Sequence, residues 1–202
     1  MNKFLNKIKQ KNIYGHKTQL PKIDNSAYAI PSNISQDKLF KQELEKVGGH
    51  CYLCKDINHL LKELKELFEQ KQWKKPFAFE TWTKDIMKRI DKEVFSDFSH
   101  LEKMDVGIGI CDYLVSWTGS VLVSSFLPGA RQFYIFSPDL IILAKKEQLV
   151  LTPDEALDKV YAKYNRAPSQ ITLITGPSKT ADIEKTLIYG MHGPRSLYVF
   201  II

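Results

Sequence analysis

The sequence predicts an α/β protein whose central sheet is largely parallel and is flanked by helices. Over residues 36–95, short apolar segments alternate with amphipathic segments of helical period, and the same alternation returns from residue 152 onwards. Such alternation is typical of βα units, in which a helix connects two parallel strands. Residues 109–144 instead contain successive apolar segments joined by turns, which predict a β-hairpin inserted into the α/β body.

Two short strands and three helices are predicted in the first half of the chain. HCYLC (50–54) and PFAFE (76–80) are short and apolar, as buried strands are. Apolar residues recur at helical spacing in DKLFKQELEKVGG (37–49), INHLLKELKELFEQKQW (57–73) and TWTKDIMKRIDKEVF (81–95). The first of these helices is expected to end at its two consecutive glycines.

The second half of the chain is predicted to contain strands and two further helices. The helix in TPDEALDKVYAKY (152–164) begins with Thr152 as N-cap, a proline at the first helical position, and Glu155 three residues after the cap. This arrangement is a capping box. KTADIEKTLIYG (179–190) is predicted as the second helix, ended by its glycine. The predicted strands are GICDYLVSWTGSVLVSS (109–125), FYIF (133–136), LIILA (140–144), QITLIT (170–175) and SLYVFII (196–202).

The excess of positive charge lies in an N-terminal extension. The chain has a formal net charge of +6, yet residues 1–22 contain six lysines and no acid, so the remainder carries 23 residues of each sign. A nucleic-acid-binding domain usually carries its basic stripe on the folded body, so we expect no nucleic-acid partner. We interpret residues 1–35 as a basic extension and linker, and residues 36–202 as the domain. The extension is expected to pack on its own domain or on a sister subunit, with a membrane surface as the alternative.

Cysteine content and hydropathy favour a cytoplasmic protein. No stretch approaches the roughly 18 consecutive apolar residues of a membrane span, and no secretory signal follows the first basic residues. Three cysteines are too few for a disulfide framework. Cys51 and Cys54 have the CxxC spacing, but on a strand they would point to opposite faces. We therefore predict neither a metal site nor a bound cofactor.

The stretch ITGPSKTADIE (174–184) predicts an anion site at the start of a helix. Free N–H groups and the helix dipole attract anions there. Gly176 would let a ligand approach the backbone, Ser178 and Thr180 offer hydroxyl groups, and Lys179 adds a positive charge. The spacing does not match the Walker pattern of nucleotide-binding loops. A plain strand–turn–helix junction, capped by one of the two hydroxyls, is the equally open alternative.

Two further loops carry groups suited to binding a ligand. SWTGSV (116–121) places small hydroxyl residues around a glycine, which suits close backbone contact with a ligand and equally suits a plain turn. GMHGPR (190–195) contains His192, which can carry a proton near neutral pH, and Arg195, which can clamp a carboxylate or phosphate. A structural histidine is the alternative for the second loop.

Three stretches together resemble the LUD-domain family, the C component of bacterial lactate-utilisation systems. They are CDYLVSWTGSVLV (111–123), GARQFYIFSPDLIILAKKEQLV (129–150) and ITGPSKTADIEKTLIYGMHGPRSLYVFII (174–202). The resemblance covers about residues 36–202 and is strongest at the C-terminal end. It implies a fold like that of the sugar-phosphate isomerases, CoA transferases and formyltetrahydrofolate cyclo-ligases. In that group, ligands lie at the carboxyl ends of parallel strands.

The resemblance assigns the family's conserved loops to positions in all three candidate loops. It implies one shared ligand pocket and no assigned catalytic residue. The family usually has an acidic residue directly before the Thr-Gly pair, where this chain has Trp117. Lys179 and Arg195 are added because their positive charges suit an anionic ligand. The candidate ligand-binding residues are therefore Thr118, Gly119, Ser120, Gly176, Pro177, Ser178, Lys179, Thr180, Asp182, His192, Gly193 and Arg195.

Three functions are compatible with the sequence. The favoured one is an accessory subunit in the oxidation of L-lactate to pyruvate, with iron–sulfur sister subunits and a small anionic ligand as partners. The second is a stand-alone enzyme acting on a phosphorylated, CoA-linked or folate substrate. The third is a ligand-sensing module without turnover.

Overall fold

A five-stranded parallel sheet forms the centre of the protein. The computed structural model describes residues 33–129, 131–181 and 187–202. The central sheet has the order β1-β11-β6-β3-β2, and every neighbouring pair runs parallel. Its strands are β1 His50–Leu53, β2 Pro76–Phe77, β3 Val106–Gly109, β6 Asp139–Ala144 and β11 Ser196–Ile201.

A second sheet of four strands, in the order β7-β4-β5-β8, packs beside the first. The pairs β4–β5 and β5–β8 are antiparallel, whereas β4 and β7 run parallel. The β4–β5 pair is the inserted hairpin that the sequence predicts. The strands are β4 Tyr113–Val115, β5 Ser120–Ser124, β7 Leu149–Val150 and β8 Ile171–Ile174. A separate antiparallel pair consists of β9 Lys179–Ala181 and β10 Leu187–Tyr189.

Five α-helices and two 3-10 helices complete the described part of the chain. The 3-10 helices precede β3 and β7. The α-helices are α1 Gln36–Lys46, α2 Ile57–Lys71, α3 Thr81–Arg89, α4 Phe133–Phe136 and α5 Pro153–Tyr164, and the 3-10 helices are Phe98–Lys103 and Lys146–Gln148.

Apolar side chains on both faces of the central sheet pack against the neighbouring layers and form two cores. Every residue of β6 is buried, and its side chains alternate between two core clusters. Leu140 and Ile142 face the second sheet together with residues of α1 and α4, whereas Ile141 and Leu143 face α2 and α3. A third cluster joins the second sheet to α5. This burial on two faces is what favours continuous apolar strands in parallel sheets.

The fold class and four of the predicted helices are confirmed. Helices α2, α3 and α5 each lie within a predicted segment of helical period, and α1 begins one residue before its segment. At the start of α5, the Thr152 hydroxyl accepts a hydrogen bond from the Glu155 N–H at 3.3 Å. The Glu155 carboxylate accepts from the N–H of Leu151 at 2.8 Å, one residue earlier than a regular capping box requires. PFAFE contributes a strand of only two residues, Pro76–Phe77.

The prediction of a strand at FYIF (133–136) is wrong, because these residues form the single-turn helix α4. The N–H of Phe133 donates to the Gly129 carbonyl at 2.8 Å, so the turn before it leads directly into the helix. Phe133 and Tyr134 are buried, while Ile135 and Phe136 are exposed. Two consecutive buried residues followed by two exposed ones fit a helical turn and not a strand, in which burial would alternate. The sequence could not show this, because four consecutive apolar residues have no period that distinguishes a helix from a strand.

The prediction of a helix over KTADIEKTLIYG (179–190) is also wrong. Its two ends form the strands β9 and β10, with Lys179 opposite Tyr189 and Thr180 opposite Ile188. β-Branched and aromatic residues at these positions favour strand pairing over a helix. Asp182 lies outside the described residues, as does most of the predicted N-terminal extension. The predicted boundary after residue 35 therefore stays a prediction.

Helix α1 ends against two glycines of the second sheet's loops. Gly119 has φ +61° and Gly176 has φ +76°, a backbone conformation that favours glycine at both positions. A Cβ atom at Gly119 would overlap the backbone of Glu43 and Leu44 in α1. A Cβ atom at Gly176 would lie 2.9 Å from the carbonyl oxygen of Val47. The absence of a side chain at both glycines therefore allows the end of α1 to pack closely against these loops.

We expect Gly119→Val to destabilise the domain by about 2–5 kcal/mol, because it combines strain at positive φ with overlap against the α1 backbone. The free energy of unfolding in urea measures the effect. Gly193→Ala is the matched control, since its added Cβ would meet only the Ser178 side chain, at 3.2 Å. The control should cost less than about 1 kcal/mol. Equal stability losses for the two variants would contradict this packing.

Candidate functional site

The structure brings the three predicted loops into one row. The Ser120 hydroxyl shares hydrogen bonds of 2.7 Å with the hydroxyls of Thr118 and Thr175. The N–H of Ser178 donates to the Pro194 carbonyl at 2.7 Å. The loop that follows β8 thus links the other two, and we call this row the loop cluster (residues 116–120, 175–180 and 190–195).

Lys179 has a structural partner within this cluster. Its ammonium group donates to the Val47 carbonyl at 2.7 Å, where α1 ends, and lies 5.8 Å from the centre of the Tyr189 ring. A cation at this position satisfies a free carbonyl and complements the negative end of the helix dipole. Because strand β9 begins at Lys179, the predicted helix N-terminus is absent from this loop, and the part of the prediction that relied on the helix dipole is wrong. Ligand binding by the loop residues through other contacts stays a prediction.

The third loop lies at the opposite end of the central sheet from the expected site. It precedes β11, and the N–H of Arg195 donates to the Pro138 carbonyl at 2.7 Å, next to the start of β6. His192, Gly193 and Arg195 line a cavity of about 650 Å³ together with α4 residues. Residues 116–120 are not part of that lining. The expectation of one pocket shared by all three loops is therefore not met at this cavity.

A second cavity, of about 440 Å³, lies at the carboxyl ends of β3 and β6. In open α/β sheets, ligands bind at the carboxyl ends of the strands. We call it the carboxyl-edge cavity. No sequence pattern indicates this cavity, because its side chains come from four separate segments. The lining residues are Trp82, Ile110, Asp112, Tyr113, Lys145, Glu147, Gln148 and Lys163.

A buried carboxylate organises one wall of the carboxyl-edge cavity. Asp112 is 1% exposed and accepts hydrogen bonds from the Tyr164 hydroxyl at 2.7 Å and the Ser124 N–H at 2.8 Å. The Lys163 ammonium lies 3.3 Å from the same carboxylate. Buried charges need such partners, and Asp112 has three.

The two titratable neighbours of Asp112, Lys163 and Tyr164, are both protonated near neutral pH. Burial acts to lower the pKa of Lys163, but the hydrogen bond with Tyr164 and the charge of Asp112 outweigh it, so this pKa lies above its ordinary value. Burial and the hydrogen bond to Asp112 raise the pKa of Tyr164. Lys163 is therefore a cation, and Tyr164 is a neutral donor.

The opposite wall places a second ammonium group over an aromatic ring. The Lys145 ammonium lies 5.9 Å from the centre of the Trp82 ring. Gln148 fixes the floor, because its amide donates to the Cys111 carbonyl at 2.6 Å and its oxygen accepts from the Lys145 N–H at 2.8 Å. Within the described ranges, no carboxylate forms an ion pair with Lys145. Its charge is available to a ligand.

The CxxC pair does not converge, as its position on a strand predicts. Cys51 belongs to the core between the two sheets, and Cys54 to the core beneath α2 and α3. Burial raises the pKa of Cys51 to about 12 and that of Cys54 to about 11. These thiols are protonated, whereas metal ligation and redox chemistry use the thiolate. Across the described residues, no group of three or more His, Cys, Asp or Glu side chains is placed to hold a metal ion.

The two packed sheets and the loop cluster define an α/β domain of a known family. The LUD domain family matches residues 38–202, and the chain belongs to that family. A crystal structure of a DUF162 family protein from Deinococcus radiodurans covers 83% of this chain and 98% of its own, with a TM-score of 0.60 and 15% sequence identity. At that identity, the likeness shows the fold alone.

Curated relatives are named lactate utilization protein C. The protein of that name from Oceanobacillus iheyensis is 31% identical over 104 residues, which is 50% of this chain and 45% of the relative. The one from Halalkalibacterium halodurans is 33% identical over 104 residues, with the same two shares. The matched segment thus spans about half the length of these relatives. Among the described helices, none has the length and apolar character needed to cross a bilayer.

We expect Asp112→Ala to destabilise the domain by about 3 kcal/mol, because it leaves the Tyr164 hydroxyl, the buried Ser124 N–H and the Lys163 ammonium without their shared acceptor. Chemical denaturation measures the effect. Lys163→Met is the control, and it should cost less than about 1 kcal/mol because 45% of the lysine side chain is exposed. A control variant as damaging as Asp112→Ala would show that the ion pair, and not the carboxylate, organises this wall.

Proposed function

We propose that this chain is a non-redox accessory subunit in the bacterial oxidation of L-lactate to pyruvate. Membership of the LUD-domain family, together with relatives named lactate utilization protein C, is the observation that carries the proposal. Trp117 supports an accessory rather than a catalytic role, since it stands where an acidic residue is expected from the family resemblance. An indole can neither accept nor deliver a proton as a carboxylate does.

The redox partners in this proposal are iron–sulfur sister subunits. Oxidation of a hydroxy acid to a keto acid releases two electrons, which require an acceptor. Four thiolates usually hold an iron–sulfur cluster, and this chain has three cysteines. Cys51, Cys54 and Cys111 are all buried as free thiols in the cores. The electron carriers of such a system therefore belong to other chains.

We place the small anion of this proposal in the carboxyl-edge cavity. Lys145 supplies an ammonium group there that forms no ion pair with a described carboxylate, whereas Lys163 is paired with Asp112 and Glu147 adds an acidic group to the lining. In the loop cluster, by contrast, Lys179 is bound to the end of α1. The loop residues remain the alternative anion site, through His192 and Arg195.

Calorimetric titration with inorganic phosphate and with L-lactate distinguishes the two places. Lys145→Gln should weaken binding about tenfold, because a hydrogen bond to a charged group contributes roughly 1.5–3 kcal/mol. His192→Asn should leave the affinity unchanged. Lys62→Gln, on the exposed face of α2, is the control for the loss of one positive charge. Weakening by His192→Asn and not by Lys145→Gln would move the anion to the loop cluster.

Reconstitution tests the accessory role itself. Iron–sulfur subunits of the host's lactate-utilisation system should reduce an electron-accepting dye with L-lactate only when this chain is added, and should be retained on it in affinity capture. Full activity of those subunits without the chain would contradict the proposal. Turnover by the isolated chain would instead favour the stand-alone enzyme, and anion binding without either effect would favour a sensing module.

A further inference from the structure

A row of exposed apolar side chains crosses the surface at the amino ends of β3, β6 and β11. Phe136 is 64% exposed, Met191 is 60% exposed and Phe98 is 51% exposed. Each lies in a segment that leads into one of these strands. Clusters of this kind on a soluble domain mark interaction sites.

The exposed side chains line two adjoining recesses. One recess, of about 650 Å³, includes Met191 together with the His192 side chain, and the other, of about 550 Å³, includes Phe98 and Leu101. Phe136 and Pro138 line both recesses, so they form a single groove with Phe136 at its middle. The position of Phe136 follows from α4, whose single turn buries its first two residues and turns the last two outward.

The two ends of this groove carry opposite charge. Glu102 lines the recess on one side of Phe136, and Arg195 lines the recess on the other side. The Arg195 stem packs on Gly190, which holds the guanidinium at its end of the groove. Neither charge takes part in the ion pairs found across residues 33–129, 131–181 and 187–202.

We propose that this groove is the interface of a symmetric homodimer. A two-fold axis beside Phe136 would stack the apolar centres of two copies and place Glu102 of each against Arg195 of the other. An interface between identical chains uses the same patch twice, so it must be self-complementary. An apolar centre between an acidic and a basic end meets that requirement.

A second copy fits this groove better than a small ligand does. The groove lies at the amino ends of the parallel strands, whereas small ligands in open α/β sheets bind at the carboxyl ends. Its most exposed apolar side chain, Phe136, lies at the centre, as an interface anchor does. The inference stands apart from the proposed function, since it concerns neither lactate nor an iron–sulfur partner.

Sedimentation equilibrium of the full chain tests the proposal through a charge swap. The wild-type chain should be dimeric at micromolar concentration. Glu102→Arg and Arg195→Glu should each weaken dimerisation about tenfold or more, because each places like charges together twice in the dimer. The double variant should regain the wild-type dissociation constant. A double variant that stays as weak as the single variants would overturn the proposed pairing.

Phe136→Ser provides the second arm, and its exposed side chain makes it compatible with folding, which circular dichroism checks. This variant should be monomeric at concentrations where the wild type is dimeric. Tyr161→Ser, which removes an aromatic side chain of similar exposure on α5, should remain dimeric. A monomeric wild-type chain, or a Phe136→Ser variant that dimerises normally, would overturn the proposal.

Discussion

The contact between the end of α1 and two glycine loops is the constraint on which the candidate site depends. Gly119 and Gly176 have positive φ and lack the side chains that would collide with α1. Lys179 then donates to the carbonyl of Val47, the residue that caps that helix. Two loops far apart in sequence are thereby fixed to one helix end, which anchors the second sheet to the first. Two of the loops that the sequence predicts to bind a ligand pack against the end of α1 in this structure.

The two ends of the central sheet carry surfaces of different character. At the carboxyl ends, charged groups surround a cavity whose buried carboxylate, Asp112, is fully paired. At the amino ends, exposed apolar side chains surround Phe136. The first surface suits a small anion, because the Lys145 ammonium group there forms no ion pair with a described carboxylate. The second suits a macromolecular partner, because the burial of its exposed aromatic and other apolar side chains would be the main favourable contribution to the free energy of association. The two partners proposed for this domain, an anion and a second copy, would therefore bind without competition.

The sequence predicts the parts of the fold that local physics determines. Clear helical periods and a Thr152 cap locate the long helices. Sequence-based prediction fails where tertiary contacts determine the secondary structure. KTADIEKTLIYG has good helix formers, yet its ends pair as strands, and FYIF is too short to show a period. The carboxyl-edge cavity is invisible in sequence, since Lys145 and Lys163 each resemble an ordinary surface lysine until β6 and α5 place them together.

Native-state hydrogen exchange, followed amide by amide at increasing denaturant, tests most directly whether the end of α1 and the loops form one unit. If they do, amides of α1 and those around Thr118 and Lys179 should open with the same free energy and the same denaturant dependence. The antiparallel pair β4–β5 should open with them. Opening of α1 at a lower free energy, with the loop amides still protected, would contradict the account.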